Sequence, residues 1–377
     1  MPMNKPLSWG LVIATYQREK ILSQCLQLAV EQTRKPSEII VIDASDNWQS
    51  TRSQVMGEIA SNYPEIRWIY QAASQRGLPL QRNQGLELAT ADITFLLDDD
   101  SLMYPTCAEE IMRVYDADTE GVVKGVQSIL APTLPSAVTV DDIPKAVGSH
   151  RDQWIPGIES FQRFIWRHLF LMDADFLCIP YDGQFPSYTV PGAISHLNVR
   201  PVKIFHGCRM TYRREAIAQE QFEPLLLFYA LLEDMDASYR VSRHGMLLEA
   251  ADAKLHHFQS NSGRLSRYVV SVLSAMNQAV CLRRYSNDLS RDRDRFYRLT
   301  ARRVVAEIFK DGLSRRWSFP QVRGLLLALK YSPQVFKLSD EELTYWYPCF
   351  QKELIASGKP PNFAQVAHSQ PAIESRQ

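Results

Sequence analysis

The chain lacks the patterns that mark several large classes of protein. Its six cysteines form no CxxC pair and no regular spacing, so neither a zinc knuckle nor a disulfide framework is indicated. Its 42 Lys and Arg residues balance 42 Asp and Glu residues, which argues against a global nucleic-acid binder because such proteins carry a basic excess. Its longest apolar stretch, residues 225–232, is far shorter than the roughly 20 residues that cross a bilayer.

The N-terminal residues also lack the features of a signal peptide. Residues 1–6 run straight into a short apolar strand instead of a hydrophobic signal core. We therefore expect a cytoplasmic protein whose thiols are reduced, and one that meets a membrane only at its surface. A length of 377 residues accommodates one large domain or two modest ones.

What the sequence does contain is an alternation of short apolar runs with amphipathic stretches over residues 9–130. This alternation is typical of βαβ units and predicts a doubly wound α/β fold with a largely parallel sheet. The predicted strands are Trp9–Ala14, Glu38–Asp43, Ile66–Tyr70 and a run that ends at the aspartates after Leu97, and the predicted helices are Glu19–Glu31, Ser50–Ser61 and Leu80–Ala89.

Residues 131–204 interrupt this alternation with eight prolines and many aromatic residues. The segment is interpreted as an insertion or lid, or equally as a structural excursion that packs on the sheet edge. Its aromatic residues are candidates for stacking on a ligand, with core packing as the alternative for most of them; Trp154, Trp166 and Tyr188 are examples.

Regular structure is predicted again from residue 205 onward, and residues 205–261 are taken as a second α/β part. It contains a strand over Phe205–Tyr212, a short helix over Arg213–Ala218, a helix from Glu233 to His244 that Gly245 closes, and a last strand through Met246–Leu248 or Ala253–Leu255 that ends at His256 and His257.

Residues 262–356 are predicted to be mostly helical, and the polar tail over residues 357–377 to be disordered. Between Gly263 and Arg316 there are 13 Lys and Arg residues against 5 Asp and Glu residues. This basic excess is interpreted as a solvated helix face. Peripheral contact of residues 263–316 with anionic lipid, or with a lipid-diphosphate acceptor, is the functional alternative.

Asp98, Asp99 and Asp100 follow the apolar run 93–97 directly. Like charges this close raise one another's pKa unless a cation or a basic partner compensates them, so the cluster indicates a divalent metal at the end of a buried strand. Ligands of open α/β sheets bind at the carboxyl ends of their strands. The competing interpretation is a solvated acidic turn.

A second acidic cluster, Glu233, Asp234 and Asp236, opens the helix predicted from Glu233. Acids at a helix N-terminus are favoured by the helix dipole, so they are expected in isolation to be capping residues. The same field keeps a carboxylate ionised, and a less polar cleft would raise its pKa towards a value useful for a general base.

Four segments in register resemble a family 2 glycosyltransferase of the GT-A fold, and the likeness covers residues 8–260. They are Leu11–Arg18, Glu38–Asp43, the segment 75–85 leading into the aspartates at 98–100, and Gly207–Glu215 with Leu232–Asp236. The position after Asp43, where many members carry an acid or Asn, is Ala44, so the resemblance leaves the nucleotide base open.

The resemblance implies an inverting transfer of a sugar from a nucleoside diphosphate to a hydroxyl of a saccharide or glycolipid, with Mn²⁺ or Mg²⁺ as cofactor. Asp234 would be the general base. Asp100 would bind the metal together with His257, or with His256 as the alternative, because strand alternation lets only one of the two face the site. The implied nucleotide-sugar contacts are Thr15, Asp43, Arg76, Arg82, Asp98, Asp99 and Arg264, and the implied acceptor-side residues are Glu233 and Trp154.

Other classes of protein share parts of this pattern. A haloacid-dehalogenase-like phosphatase also places DxD after an apolar strand, but usually the first strand, whereas three apolar runs precede Asp98. The segment 14–18 contains no glycine-rich phosphate loop, which disfavours a nucleotidyltransferase or a dinucleotide-dependent dehydrogenase. A non-catalytic carbohydrate-binding module remains, although such a module has no need of a base at Asp234.

Overall fold

A computed structural model describes residues 6–136, 178–228, 230–258 and 265–361. These residues form two compact units. The first contains 6–136, 185–223 and 233–258, and the second contains 178–184, 224–232 without Tyr229, and 265–361. The domain boundaries derived from the sequence stay predictions, and Trp154, Trp166, Arg264 and residues 362–377 lie outside the described residues.

The first unit begins with the parallel half of a sheet. Three of its four strands are rich in Ile, Val and Leu and almost completely buried, as expected for strands covered on both faces, and the edge strand Arg67–Ala72 is partly exposed. Strands β1 to β4 pair in the order β3-β2-β1-β4. The strands are β1 (Trp9–Thr15), β2 (Glu38–Asp43), β3 (Arg67–Ala72) and β4 (Ile93–Asp98), and the helices between them are α1 (Glu19–Val30), α2 (Trp48–Glu58) and α3 (Leu78–Leu88).

The remaining elements of this unit make the sheet mixed. Its order continues from β4 to β8, β6, β9 and β5, with β7 paired to β9. Strand β8 runs antiparallel to both β4 and β6, and β6 runs parallel to β9, so β4, β6 and β9 share one direction. The elements are β5 (Ser101–Met103), α4 (Cys107–Ala117), β6 (Val123–Leu130), β7 (Val199–Pro201), β8 (Met210–Arg213), α5 (Arg214–Glu220), α6 (Glu233–Ser242) and β9 (Met246–His257).

Helices cover both faces of the sheet, as the sequence predicted. Alternate residues of β1 face opposite ways: Leu11 packs in a core with helices α1, α2 and α4, and Val12 packs in a second core with α3, α5 and α6. Gly10 is required by a close approach, because a Cβ there would lie 2.5 Å from the Glu38 side chain. The period of two along each strand thus fixes which helix each strand residue meets.

Three local predictions differ from the structure. The strand predicted over 205–212 is wrong for its first half, where Gly207–Arg209 form a 3₁₀ turn before β8. The last strand is one continuous element, β9, instead of either short piece. Gly245 is not among the glycines with positive φ; a Cβ there would lie 2.3 Å from the Val122 carbonyl oxygen, so space rather than helix capping requires it.

The second unit contains four helices among its described residues. Helices α7 and α9 approach closely at Gly324, where a Cβ would lie 2.6 Å from the Tyr268 carbonyl oxygen. Helix α10 begins with a capping box of Ser339 and Glu342 and ends at Gly358, which has φ +69°. Within the described residues, no helix combines the length and apolar character needed to cross a membrane. The helices are α7 (Arg267–Tyr285), α8 (Leu289–Leu313), α9 (Pro320–Lys337) and α10 (Asp340–Ser357).

Candidate active site

The sheet brings Asp98, Asp100 and His257 together at one edge. Asp98 ends β4 and His257 ends β9, and these strands point the same way. The turn at Asp99 and Asp100 carries the chain to β5, where Ser101 pairs with His257. As a result, His257 Nε2 lies 3.1 Å from Asp100 Oδ1 and 3.8 Å from Asp98 Oδ2.

These three side chains form a set of donor atoms that fits a divalent cation. One ligand atom from each of Asp98, Asp100 and His257 lies within 4.8 Å of the others. Carboxylate oxygens suit Mg²⁺ and Mn²⁺, and an imidazole nitrogen is a common ligand of transition metals. Burial alone would lower the pKa of His257, but its hydrogen bonds to Asp100 and Cys208 outweigh that effect and raise the pKa to about 11.

Asp99 turns away from this cluster towards the end of β1. Its carboxylate accepts hydrogen bonds from Thr15 Oγ1 at 2.8 Å and Arg18 Nη1 at 2.9 Å, and Arg18 also reaches Asp100 at 3.3 Å. Burial raises the pKa of Asp99 to about 7, opposed by Arg18 and supported by Asp100. Thr15, predicted to line the nucleotide pocket, therefore contacts the turn formed by Asp99 and Asp100, which we call the acidic turn.

Sequence reasoning missed Arg18 as a site residue. Arg18 is the N-cap residue of α1, and a cation is disfavoured there by the helix dipole unless an anion lies close. A basic residue at this helix N-terminus was therefore the sequence feature that could have identified Arg18 as a site residue. It did not identify the partner, because Asp99 lies 81 residues further along the chain.

Arg82 links the start of α6 to the group of Asp98, Asp100 and His257, which we call the metal-type cluster. Its guanidinium is almost completely buried and donates to Asp98 at 2.7 Å, to Glu233 at 3.1 Å and to the Gly207 carbonyl oxygen at 3.3 Å. Glu233, which was predicted to lie on the acceptor side, is only 6% exposed and forms an ion pair with Arg82. Burial raises the pKa of the Glu233 carboxyl, and Asp234 adds to the rise.

The acids at the start of α6 point to three different partners. Glu233 pairs with Arg82, and Asp236 pairs with Arg240 at 2.7 Å. Asp234 is half-buried; its Oδ2 accepts the Gly207 backbone N–H at 2.7 Å and its Oδ1 accepts the Met235 backbone N–H at 2.8 Å. Asp234 therefore differs from its two neighbours: its carboxylate accepts backbone N–H groups, and it forms no ion pair with a basic side chain within the described residues.

The carboxyl ends of β1 to β3 carry the other residues predicted to contact the nucleotide. Asp43 is buried and accepts hydrogen bonds from the Tyr70 hydroxyl at 2.6 Å and the Ser45 backbone N–H at 2.8 Å. Arg76 is exposed and stacks on the Tyr16 ring, with its Cζ 3.6 Å from the ring centroid. A planar surface of this kind beside a strand end is available for a ligand.

His256 lies on the other side of β9 from His257. Its Nδ1 contacts the Ala131 carbonyl oxygen at 3.0 Å, and it pairs in the sheet with Leu102. The structure therefore places His257, and not His256, against Asp100. Arg264 and Trp154, the remaining predicted site residues, fall outside the described part of the chain.

Part of the chain is similar to known glycosyltransferases. Residues 11–136 match the model of the family described as Glycosyl transferase family 2. An uncharacterized glycosyltransferase of Escherichia coli (strain K12), YibD, is 30% identical over 112 residues, which are 30% of this chain and 31% of that protein. The glucosyl-dolichyl phosphate glucuronosyltransferase of Haloferax volcanii is 25% identical over 119 residues, 31% of this chain and 36% of that protein.

Among solved structures, GalNAc-T7 with UDP, GalNAc and Mn²⁺ is similar with a TM-score of 0.50, at 12% identity, over 76% of this chain and 49% of that chain. The fold is GT-A, as predicted, and residues 11–136 are similar to glycosyltransferase family 2. The matched segment spans about a third of each curated relative.

Proposed function

We propose that the protein is an inverting, divalent-metal-dependent glycosyltransferase. It moves a sugar from a nucleoside diphosphate sugar to a hydroxyl of a saccharide or lipid-linked acceptor. The observation that carries this proposal is the buried bridge of Arg82, which joins Asp98 of the metal-type cluster to the helix start that presents Asp234. A cation site and a base on one framework are what glycosyl transfer requires, since one neutralises the leaving group and the other activates the hydroxyl.

Asp98, Asp100 and His257 would hold Mn²⁺ or Mg²⁺. A cation there supplies charge neutralisation of the leaving diphosphate. The chain's own contribution is to hold the ligands in place: Arg82 fixes Asp98, and Arg18 fixes the Asp99–Asp100 turn. Such supporting contacts orient ligands and influence metal affinity.

Asp234 is the proposed base. Each of its oxygens accepts one backbone N–H, and a carboxylate oxygen has a second lone pair for the acceptor hydroxyl. As the acceptor oxygen forms its bond to the anomeric carbon, the bond from that carbon to the diphosphate breaks and the hydroxyl proton passes to Asp234. One base that activates an in-line nucleophile gives inversion.

Thr15, Asp43 and Arg76 are proposed to line the nucleotide pocket, together with Asp99, because they lie at the carboxyl ends of β1, β2 and β4 or just after β3. The UDP, GalNAc and Mn²⁺ of the GalNAc-T7 structure support a nucleotide sugar and a metal as ligands. The name of the Haloferax volcanii relative supports a lipid-linked acceptor.

The proposal is tested first by thermal unfolding with a panel of UDP-, GDP- and dTDP-sugars, with and without Mn²⁺, because a ligand of the native state raises the unfolding temperature. The sugar nucleotide that shifts it is then used for transfer and hydrolysis assays. Asp234→Asn should lower kcat by about 10²–10⁴-fold and leave the donor-induced shift intact.

Asp236→Asn is the matched control, because it removes a neighbouring acid of α6 that pairs with Arg240 instead. It should lower the unfolding temperature without a comparable loss of kcat. Phosphatase activity on sugar phosphates without transfer or hydrolysis of any sugar nucleotide would refute the proposal in favour of a phosphatase. Donor binding without any turnover by the unsubstituted protein would refute it in favour of a non-catalytic module.

A further inference from the structure

The second unit carries a concentrated patch of exposed apolar side chains. Of the nine large hydrophobic residues that are exposed in the described part of the chain, six lie between positions 305 and 326. They are Val305 (52% exposed), Ile308 (44%), Phe309 (51%), Leu313 (77%), Trp317 (72%) and Leu326 (52%). Soluble surfaces normally scatter such residues singly, so this concentration indicates an interaction surface.

The helical spacing places most of these side chains on one face of α8. Val305, Phe309 and Leu313 recur every four residues, and Ile308 lies one turn after Val305. Trp317 follows in the connection to α9, and Leu326 is on α9 itself. We call these six residues the apolar patch.

The connection that presents Trp317 is an ordered turn. The buried Asp311 carboxylate accepts the Gln321 backbone N–H at 3.2 Å at the start of α9. The Arg316 backbone N–H donates to the Asp311 carbonyl oxygen, and the Phe319 backbone N–H donates to the Arg316 carbonyl oxygen. Trp317 is therefore held outward by the turn, at 72% exposure.

The exposed charges of the stretch that contains the apolar patch have one sign. Between positions 298 and 330, a stretch that the structure describes in full, the two acidic residues are Glu307 and Asp311, and both are buried. The exposed charged side chains of this stretch are all basic: Arg298, Arg302, Arg315, Arg323 and Lys330. Apolar and aromatic residues flanked by Lys and Arg are typical of helices that lie in the interface of an anionic membrane.

We propose that the apolar patch and its flanking basic residues dock this protein on an anionic lipid surface. A second copy of the chain fits the patch less well, because a two-fold interface would place these basic residues opposite one another. An anionic bilayer accepts the apolar side chains and neutralises every exposed charge of the stretch. This inference does not rest on the proposed function.

The test is co-sedimentation of the full chain with two kinds of vesicle, phosphatidylcholine alone and an equimolar mixture of phosphatidylcholine and phosphatidylglycerol. The protein should bind the mixed vesicles and bind more weakly as salt is raised, because salt screens the basic residues. Each basic residue near an anionic surface is worth about fivefold in partitioning. The variant with both Arg315→Glu and Arg323→Glu should therefore bind at least about 25-fold more weakly.

Removing apolar contacts should act independently of charge. The variant with both Leu313→Ser and Trp317→Ser should lose about tenfold or more in partitioning, with an unchanged unfolding temperature because both side chains are exposed. Leu130→Ser and Arg52→Glu are matched controls: each replaces an exposed residue of the first unit, and neither should alter vesicle binding.

Fluorescence then locates the contact. On mixed vesicles the emission should shift to the blue and be quenched by brominated lipid, and Trp317→Phe should remove most of that change while vesicle binding is retained. The proposal is overturned if the chain ignores phosphatidylglycerol or if the patch variants bind like the controls. It is also overturned if the patch variants convert a dimer to a monomer in sedimentation velocity while vesicle binding stays unchanged.

Discussion

Arg82 and Asp98 form a 2.7 Å ion pair across the base of the candidate site, with the Arg82 side chain 2% exposed. The same guanidinium holds Glu233, which is 151 residues further along the chain. Removing one partner of a buried ion pair leaves an uncompensated charge, so the bridge constrains both ends at once. We therefore expect Arg82 to act as a positioning residue for Asp98, the proposed metal ligand, and for the start of α6.

Arg82→Met should weaken Mn²⁺ binding by about 10–100-fold, because supporting contacts of metal ligands have effects of that size. Isothermal titration calorimetry with Mn²⁺ measures the change. Arg240→Met is the matched control, since Arg240 is equally buried and pairs with Asp236 and Glu220 away from the metal-type cluster. Both variants should lose stability, and only Arg82→Met should lose metal affinity. Equal Mn²⁺ affinity in the two variants would contradict the positioning role.

The parallel half of the fold could be read from the sequence. Strands β1, β2 and β4 are continuous buried runs, so their apolar residues mark them without ambiguity. The sequence does not identify strand β9 as one element, because Glu249, Asp252 and Lys254 interrupt its apolar pattern. Glu249 is buried there by tertiary partners, among them Arg209 and Gln127, and such partners have no local signature.

The candidate site was predictable in the same uneven way. The acidic triplet 98–100 and the histidine pair 256–257 can be recognised in the sequence itself. Their convergence follows from the common direction of β4 and β9. The contacts of Arg18 and Arg82 do not follow from sequence, because they join residues 81 and 151 positions apart. Only the folded sheet edge makes these residues neighbours.

The two adjacent histidines of β9 should differ in their effect on the metal. His257→Ala removes the imidazole that lies 3.1 Å from Asp100, whereas His256→Ala removes one that contacts the Ala131 carbonyl oxygen. We expect His257→Ala to weaken Mn²⁺ binding at least about tenfold and His256→Ala to change it little. EDTA should abolish turnover of the unsubstituted protein, and added Mn²⁺ should restore it. A larger effect of His256→Ala on Mn²⁺ binding would show that the imidazole assignment is reversed.

Arg18 should compensate the negative charge of the acidic turn when no metal cation is bound. Arg18→Gln removes a charged hydrogen bond to Asp99 and a contact to Asp100, which should lower the free energy of unfolding by about 1–3 kcal/mol in the absence of metal. Mn²⁺ should then raise the unfolding temperature more in Arg18→Gln than in the unsubstituted protein, because the cation replaces the missing charge.

Arg34→Gln is the control for this experiment. It breaks a partly exposed ion pair with Asp116, 2.5 Å long and remote from the acidic turn in sequence, so its Mn²⁺ response should match that of the unsubstituted protein. If Arg18→Gln responds to Mn²⁺ no more than Arg34→Gln does, Arg18 has no part in balancing the acidic turn.

Glu38 provides a stability prediction that is independent of the metal. Its carboxylate accepts the backbone N–H groups of Thr90 and Ala91 at 2.7 and 2.8 Å and pairs with Arg67 at 2.6 Å, which ties β2 to the chain just before β4. Burial opposes ionisation of Glu38, but these hydrogen bonds outweigh it and lower the pKa. A carboxyl group with a lowered folded-state pKa stabilises the protein above its unfolded-state pKa of about 4.3, and this contribution is lost as pH falls through the folded-state pKa.

Glu38→Gln should therefore lower the free energy of unfolding by about 1–3 kcal/mol at neutral pH. The difference from the unsubstituted protein should shrink as the pH falls below about 4.3, because protonation then removes the same charge from the unsubstituted chain. Urea unfolding at a series of pH values measures this difference.

Glu65→Gln serves as the control, because Glu65 is exposed and pairs only at the surface with Lys35, and its effect should be small at every pH. A Glu38→Gln difference that stays constant from neutral to acidic pH would mean that the amide fails for reasons of shape, and that the charge of Glu38 does not stabilise this edge of the sheet.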